Sequence, residues 1–119
     1  MKLLLYAKDS NGAGHRLRDL LEPFERMVEI ETHHTIDSLA QGLLPPKFEG
    51  IIVLLLLSTK KELMELQSIR DLLHRVRIII VLPDREKETT FMGHSFYPRY
   101  MSNIDNNFHD VTAVLGKML

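Results

Sequence analysis

The chain has 119 residues, 45% hydrophobic and 26% charged, with a formal net charge of −1. That length suits one continuous core, the composition excludes disorder and a coiled coil, and the near-neutral charge leaves no overall positive field to draw the chain onto nucleic acid or anionic lipid. With no cysteine, disulfides, thiolate metal sites and thiol nucleophiles drop out together, which fits a reducing cytoplasm.

The start, Met1-Lys2-Leu3-Leu4-Leu5-Tyr6, is basic then apolar, but the apolar run meets Lys8 and Asp9 at once and is too short for a secretory signal. Residues 3–7 are therefore expected to form a first strand. A helix follows Ser10-Asn11-Gly12, with Leu17, Leu20, Leu21 and Phe24 spaced by threes and fours on one face, and Pro23 frays its last turn. The second strand falls at 27–32. A second helix starts near Thr35 or Asp37, aligns Ile36, Leu39, Ala40 and Leu43, and stops at Pro45-Pro46.

The third strand, 51–57, is apolar throughout, the pattern of a strand buried on both faces, and falls far short of the ~20 residues needed to cross a bilayer. Thr59-Lys60-Lys61-Glu62 is a capping box, opening a helix whose stripe is Leu63, Leu66, Ile69 or Arg70, and Leu73. A fourth strand at 77–82 leads into a polar, weakly periodic segment, 84–93, taken as a helix capped by Asp84. A fifth strand is expected at 99–102. The terminal helix, 106–118, gathers Phe108, Val111, Val114 or Leu115, and Met118 on one side. Strands alternating with helices imply right-handed βαβ crossovers and a parallel sheet in a single domain over 1–119.

Five βα units with an apolar third strand and a short polar fourth helix give a pattern that resembles the receiver domain of bacterial two-component signalling, over nearly the whole chain. The resemblance implies a flavodoxin-like α/β fold, a three-layer (βα)5 sandwich with sheet order 2-1-3-4-5, whose strand C-termini form any site. Receiver phosphotransfer needs two acidic residues after strand one to hold Mg²⁺, an aspartate ending strand three, a hydroxyl after strand four and a lysine after strand five. Here Ala7-Lys8-Asp9 offers at most one carboxylate, and 53–59 contains none. Val81-Leu82-Pro83-Asp84 lacks a hydroxyl, and Asn103-Ile104 stands where receivers carry Lys-Pro. Tyr100 alone falls where receivers often place an aromatic. The expectation is a cytoplasmic, non-phosphorylatable receiver-like module that acts by contact with a protein partner or a second copy, without direct nucleic-acid or membrane binding.

Two regions are candidates for binding. The rim residues Lys8, Asp9, Gly12, Gly14, Ser58, Thr59, Asp84 and Asn103 would meet at the strand ends and could take a nucleotide or other phosphorylated ligand. Asn11-Gly12-Ala13-Gly14 has the look of a phosphate turn, yet position 17 is Leu and no Gly-Lys-Ser/Thr follows. The competing reading makes Ser58 and Thr59 caps of the third helix, Asp84 a cap of the fourth, and Lys8 the partner of a local acid. The second region is the aromatic and cationic stretch Phe91, Met92, His94, Phe96, Tyr97, Arg99 and Tyr100, from which Phe91, His94, Tyr97, Arg99 and Tyr100 are expected as a protein-contact face. Alternatively Phe91 and Phe96 pack beneath a loop as a satellite core. Of six histidines, the adjacent His33 and His34 should diverge on a strand, and His15, His74, His94 and His109 lack two-ligand spacing. No metal, cofactor or nucleophile-base-orienter set is legible, so binding and not turnover is expected.

Overall fold

A computed structural model describes residues 1–9, 12–44 and 50–119. Five strands, β1 Lys2–Ala7, β2 Glu29–His33, β3 Ile51–Leu56, β4 Arg77–Leu82 and β5 Tyr100–Asn103, form one parallel sheet in the order β2-β1-β3-β4-β5. The helices are α1 Ala13–Leu20, α2 Ile36–Gly42, α3 Lys60–Glu65, α4 Arg70–Leu73, α5 Lys87–His94 and α6 His109–Met118. This is the parallel sheet expected from the alternation of strands and helices, in the doubly wound, flavodoxin-like arrangement that the resemblance to receivers implies. None of the described helices is long and apolar enough to cross a membrane.

Side chains alternate across each strand and so divide the core in two. Leu4, Tyr6, Val53, Leu55, Ile78 and Ile80 pack towards α2, α3, α4 and α5, while Leu3, Leu5, Ile52, Leu54, Ile79 and Val81 pack towards α1 and α6. Central β3 is buried along its whole length, which explains why its sequence is a continuous apolar run. Each such side chain contributes about 1.5–3 kcal/mol on burial.

Several boundaries shift for local reasons. The first helix ends at Leu20, and Leu21 leads into a 3₁₀ turn, Glu22–Arg26, with Pro23 near its start, where a missing N–H costs least. Met27 and Val28 both donate their N–H to the Phe24 carbonyl, at 2.9 and 3.0 Å, so β2 starts at Glu29 instead of 27. The expected third helix is divided into α3, a 3₁₀ turn at Leu66–Ile69 and α4, with Ile69 leaving the helical region at φ −118°, ψ 20°. Asp84 does not cap α5: its Oδ1 accepts from the Glu86 N–H at 3.0 Å, an Asx turn that feeds the helix, and Glu86 holds the N-cap position without a side-chain bond. The terminal helix starts at His109, after Asn107 Oδ1 accepts the His109 N–H at 3.1 Å and Phe108 adopts a left-handed φ of 66°. The expected stop at Pro45-Pro46, and Ser10-Asn11 of the first turn, lie outside the described residues.

Candidate functional site

The order β2-β1-β3-β4-β5 reverses direction between β1 and β3, so the chain leaves β1 for α1 on one face and β3 for α3 on the other. Loops that part in this way open the crevice where doubly wound folds hold ligands. Ala7 lies opposite Leu56, which brings exposed Lys8 and Asp9 beside exposed Ser58 and Thr59. Asn103 ends β5, three strands from β1, or about 14 Å at the usual strand spacing. The structure thus gathers Lys8, Asp9, Ser58 and Thr59, leaves Asp84 at the approach to α5, and sets Asn103 apart.

Within the crevice Thr59 and the backbone N–H of Ser58 are engaged by the fold itself, whereas the exposed Lys8 has no acid as a partner among the described residues. Thr59 is the N-cap of α3 and forms the expected capping box with Glu62. Glu62 Oε2 accepts from the backbone N–H groups of Ser58 and Thr59, each at 2.8 Å, while Oε1 accepts from the Tyr6 hydroxyl at 3.0 Å. Glu62 is only 1% exposed, so this carboxylate has its donors from protein and is not presented to solvent, metal or substrate. Burial, and next the hydrogen bond to Glu62, push the Tyr6 phenol well above its ordinary range. Gly12 takes a positive φ of 58° to start α1. At Gly14 a side chain would collide with the Asp9 carbonyl oxygen, so this glycine permits a close approach of loop to helix.

Ion pairs lace the rest of the rim. Lys60 Nζ donates to Glu88 at 2.6 Å, joining the starts of α3 and α5, and this bond raises the Lys60 ammonium pKa. Arg85 donates twice to Asp105, at 3.1 and 3.0 Å, joining the loops after β4 and β5, and its hydrogen bonds hold the Asp105 carboxyl below the usual range. Behind the rim, the Tyr100 hydroxyl donates to Asp110 Oδ2 at 2.8 Å. Burial pushes Asp110 up, but hydrogen bonds from Ser102, Tyr100 and the backbone carry it below its usual range.

The structure also assembles a hydrogen-bonded series that the sequence reading missed. His33 Nε2 lies 2.6 Å from Glu31 Oε1, and its Nδ1 lies 2.6 Å from Ser38 Oγ. A carboxylate only accepts, so Nε2–H donates to Glu31, and Nδ1 and the Ser38 hydroxyl share a second hydrogen bond. Lys2 Nζ donates to the other Glu31 oxygen at 2.7 Å and holds that carboxyl low. The order hydroxyl, imidazole, carboxylate is that of an activated nucleophile. Here Ser38 also donates its own N–H to the N-cap Thr35 at 3.0 Å, and the series ties the end of β2 to the start of α2. The Glu31–His33 spacing of two on a strand was the available signal. His34, on the other side of the strand, donates from Nδ1 to the Ala7 carbonyl at 2.8 Å and lines a 230 Å³ cleft with Leu5, Gly14, His15 and Arg18. The two adjacent imidazoles diverge, His33 as the last residue of β2 and His34 in the bend just past it.

The second region behaves differently. Phe96 is buried in the main core, with the Arg70 guanidinium 5.1 Å above its ring, and Arg70 donates to Ser95 Oγ at 2.8 Å. Phe91 and Tyr97, by contrast, are 76% and 80% exposed, so the two phenylalanines do not share a satellite core. Tyr97 holds a left-handed φ of 53°, donates its N–H to the His94 carbonyl at 2.9 Å, and meets His74 edge-on at 5.8 Å. His94 and Arg99 are exposed, whereas Tyr100 turns to the opposite face of the sheet, packing towards α6. The expected contact set therefore separates into Phe91, His94, Tyr97 and Arg99 on the surface and Tyr100 largely inside.

Among the described residues no group of three or more His, Asp or Glu side chains is placed to hold a metal ion. No family model, no curated protein and no solved structure matches the chain.

Proposed function

We propose that this chain is a receiver-like regulatory module that does not accept a phosphoryl group and works by protein contact through α5 and the start of β5. The observation that carries this reading is the contrast in one structure between a strand-end rim where Thr59, Glu62, Lys60, Glu88, Arg85 and Asp105 are engaged with one another and with the backbone, and an α5 corner that turns Phe91 and Tyr97 to solvent. Aromatic side chains held outward beside cations are the usual anchors of protein interfaces. The fold supports the likeness to receivers, and the absence of a carboxylate from 53–59 supports loss of phosphotransfer, because the in-line attack has no acceptor. The same likeness sets the module in bacterial two-component signalling.

Incubation with acetyl phosphate, or with beryllofluoride and Mg²⁺, is expected to leave both the mass and the rim amide resonances unchanged. Stoichiometric aspartyl labelling would overturn the proposal. A second reading, a nucleotide or other phosphorylated ligand at the rim, draws on one observation: the Asn103 amide oxygen is buried with no partner among the described residues, and it would accept from a hydroxyl or N–H of the ligand, not from its phosphate. A thermal-shift screen over nucleotides, flavins and sugar phosphates separates the two, since a ligand at 100 times its Kd stabilises by about 2.7 kcal/mol.

A further inference from the structure

We infer that Ser38 is a nucleophile activated by His33, which takes a short uncharged acyl group from an ester and passes it to water. The site lies at the β2 edge of the sheet, opposite the β5 edge beside the proposed contact face, and does not depend on that face. Its side chains hold one another in order. Ser38 Oγ is 2.6 Å from His33 Nδ1, within the reach of a nucleophile to its base. The far ring nitrogen, Nε2, is 2.6 Å from Glu31 Oε1, and Lys2 holds the other oxygen of that carboxylate at 2.7 Å. Because Nε2–H donates to Glu31, the neutral ring presents the lone pair of Nδ1 to Ser38.

Exposure differs along the series in the sense that catalysis needs. His33 is only 8% exposed and lies so close to α2 that a side chain at Gly42 would come within 3.0 Å of Nε2. Ser38 is exposed, and Thr35 fixes its backbone N–H at 3.0 Å. A hydroxyl open to solvent can bond to water and needs no imidazole for that purpose. A shielded base, oriented by an acid and aimed at an accessible hydroxyl, is the arrangement of nucleophilic catalysis. In the step, Oγ attacks the acyl carbon while its proton passes to Nδ1; the bond to the leaving alkoxide breaks, and the alkoxide takes that proton. Water then attacks the Ser38 ester by the same proton route and releases the carboxylic acid. Exposed Asp37 beside the hydroxyl, with Glu31 behind the ring, disfavours an anionic donor and selects an uncharged one.

Two probes on the full chain test this: an alkyl fluorophosphonate, which phosphonylates an activated serine with loss of fluoride, and p-nitrophenyl acetate. One fluorophosphonate adduct is expected, on Ser38, forming at least about a hundredfold faster than any on Ser58, an exposed serine of the same chain. The acetate should release one equivalent of p-nitrophenolate in a burst, followed by slower turnover. Ser38→Ala should abolish both signals, and His33→Gln should slow them about a hundredfold, with thermal midpoints showing that the variants are folded. Glu31→Gln, at a positioning residue, should slow them less and move the His33 ring nitrogen resonances. No adduct, an adduct elsewhere, or Ser38 labelled no faster than Ser58 would reduce the series to a structural tie between β2 and α2 and overturn the inference; that comparison stands even if His33→Gln does not fold. Labelling of folded His33→Gln at the unaltered rate would overturn it as well. An acetyl group that stays on Ser38 would overturn the hydrolysis and leave the nucleophile standing.

Discussion

The crevice between β1 and β3 and the corner around α5 carry similar residue types, hydroxyls, acids, cations and aromatics, yet the fold uses them in opposite ways. In the crevice, Thr59, Glu62 and Tyr6 satisfy one another and the loop backbone. At the corner, Phe91, His94, Tyr97 and Arg99 are turned to water, and the hydrogen bond from Arg70 to Ser95 and the edge-on contact of His74 with Tyr97 support the surface without covering it. Polar residues at a site where the fold would hold a ligand are thus no sign of one; what matters is whether their donors and acceptors are already matched.

Substitutions can break that contrast or sharpen it. The largest effect is expected from Gly14→Ala, which drives a methyl group into the Asp9 carbonyl and should destabilise by about 3 kcal/mol in urea unfolding. If position 14 instead served only a bound anion, stability would hold. Glu62→Ala removes the capping box and leaves the Tyr6 hydroxyl and two backbone N–H groups without their acceptor, a loss of about 2–3 kcal/mol. Tyr6→Phe takes away one donor to that carboxylate and should cost about 1.5 kcal/mol. At the corner, Phe91→Ala and Lys87→Glu should change stability by no more than about 0.5 kcal/mol. Equal losses in the two regions would erase the distinction.

Titration probes the engaged groups from both ends of the pH scale. Tyr6 and Tyr100 have folded pKa values raised above the ordinary 10.0, so the folded state keeps protons that the unfolded chain releases. Stability present below pH 10 is therefore lost as pH rises beyond it, and Tyr6→Phe should flatten that alkaline fall. Glu31, Asp105 and Asp110 are lowered from 4.5, 3.8 and 3.8. Their contribution is complete above those values and is lost as pH falls through the folded ones. Thermal midpoints measured across both limbs check the signs.

The strands were legible because burial on both faces leaves a continuous apolar run, as in β3 and β4, their order came from the resemblance to receivers, and the capping box was legible because both of its partners lie within four residues. β2 was the poorest match. As an edge strand it mixes Glu29, Ile30, Glu31, Thr32 and His33, and the apolar Met27 and Val28 before it belong to a turn. Asp84 fits a cap by type but bonds two residues ahead, a choice set by backbone geometry. The contacts that define the rim join residues far apart in sequence, Tyr6 with Glu62 and Arg85 with Asp105, and no local pattern encodes them. Nor does the sequence tell Phe91 from Phe96; only the placement of α5 on the sheet buries one and exposes the other.

The apolar β3 also bears on how the chain reaches this structure. Its strand is shielded in the folded protein by β1 and β4 on its edges and by helices on both faces, but apart from the adjoining α3 the main covers, β1, β4, α1 and α6, are distant in sequence and arrive late when contacts are non-local. Until then Ile51–Leu56 is a six-residue β-prone segment with no charge and no proline, the composition that forms intermolecular steric zippers. The feature that gives the sheet its centre makes the unfolded chain prone to aggregate, and refolding at high protein concentration sets the pairing of β3 with β1 in competition with its pairing to another chain's β3.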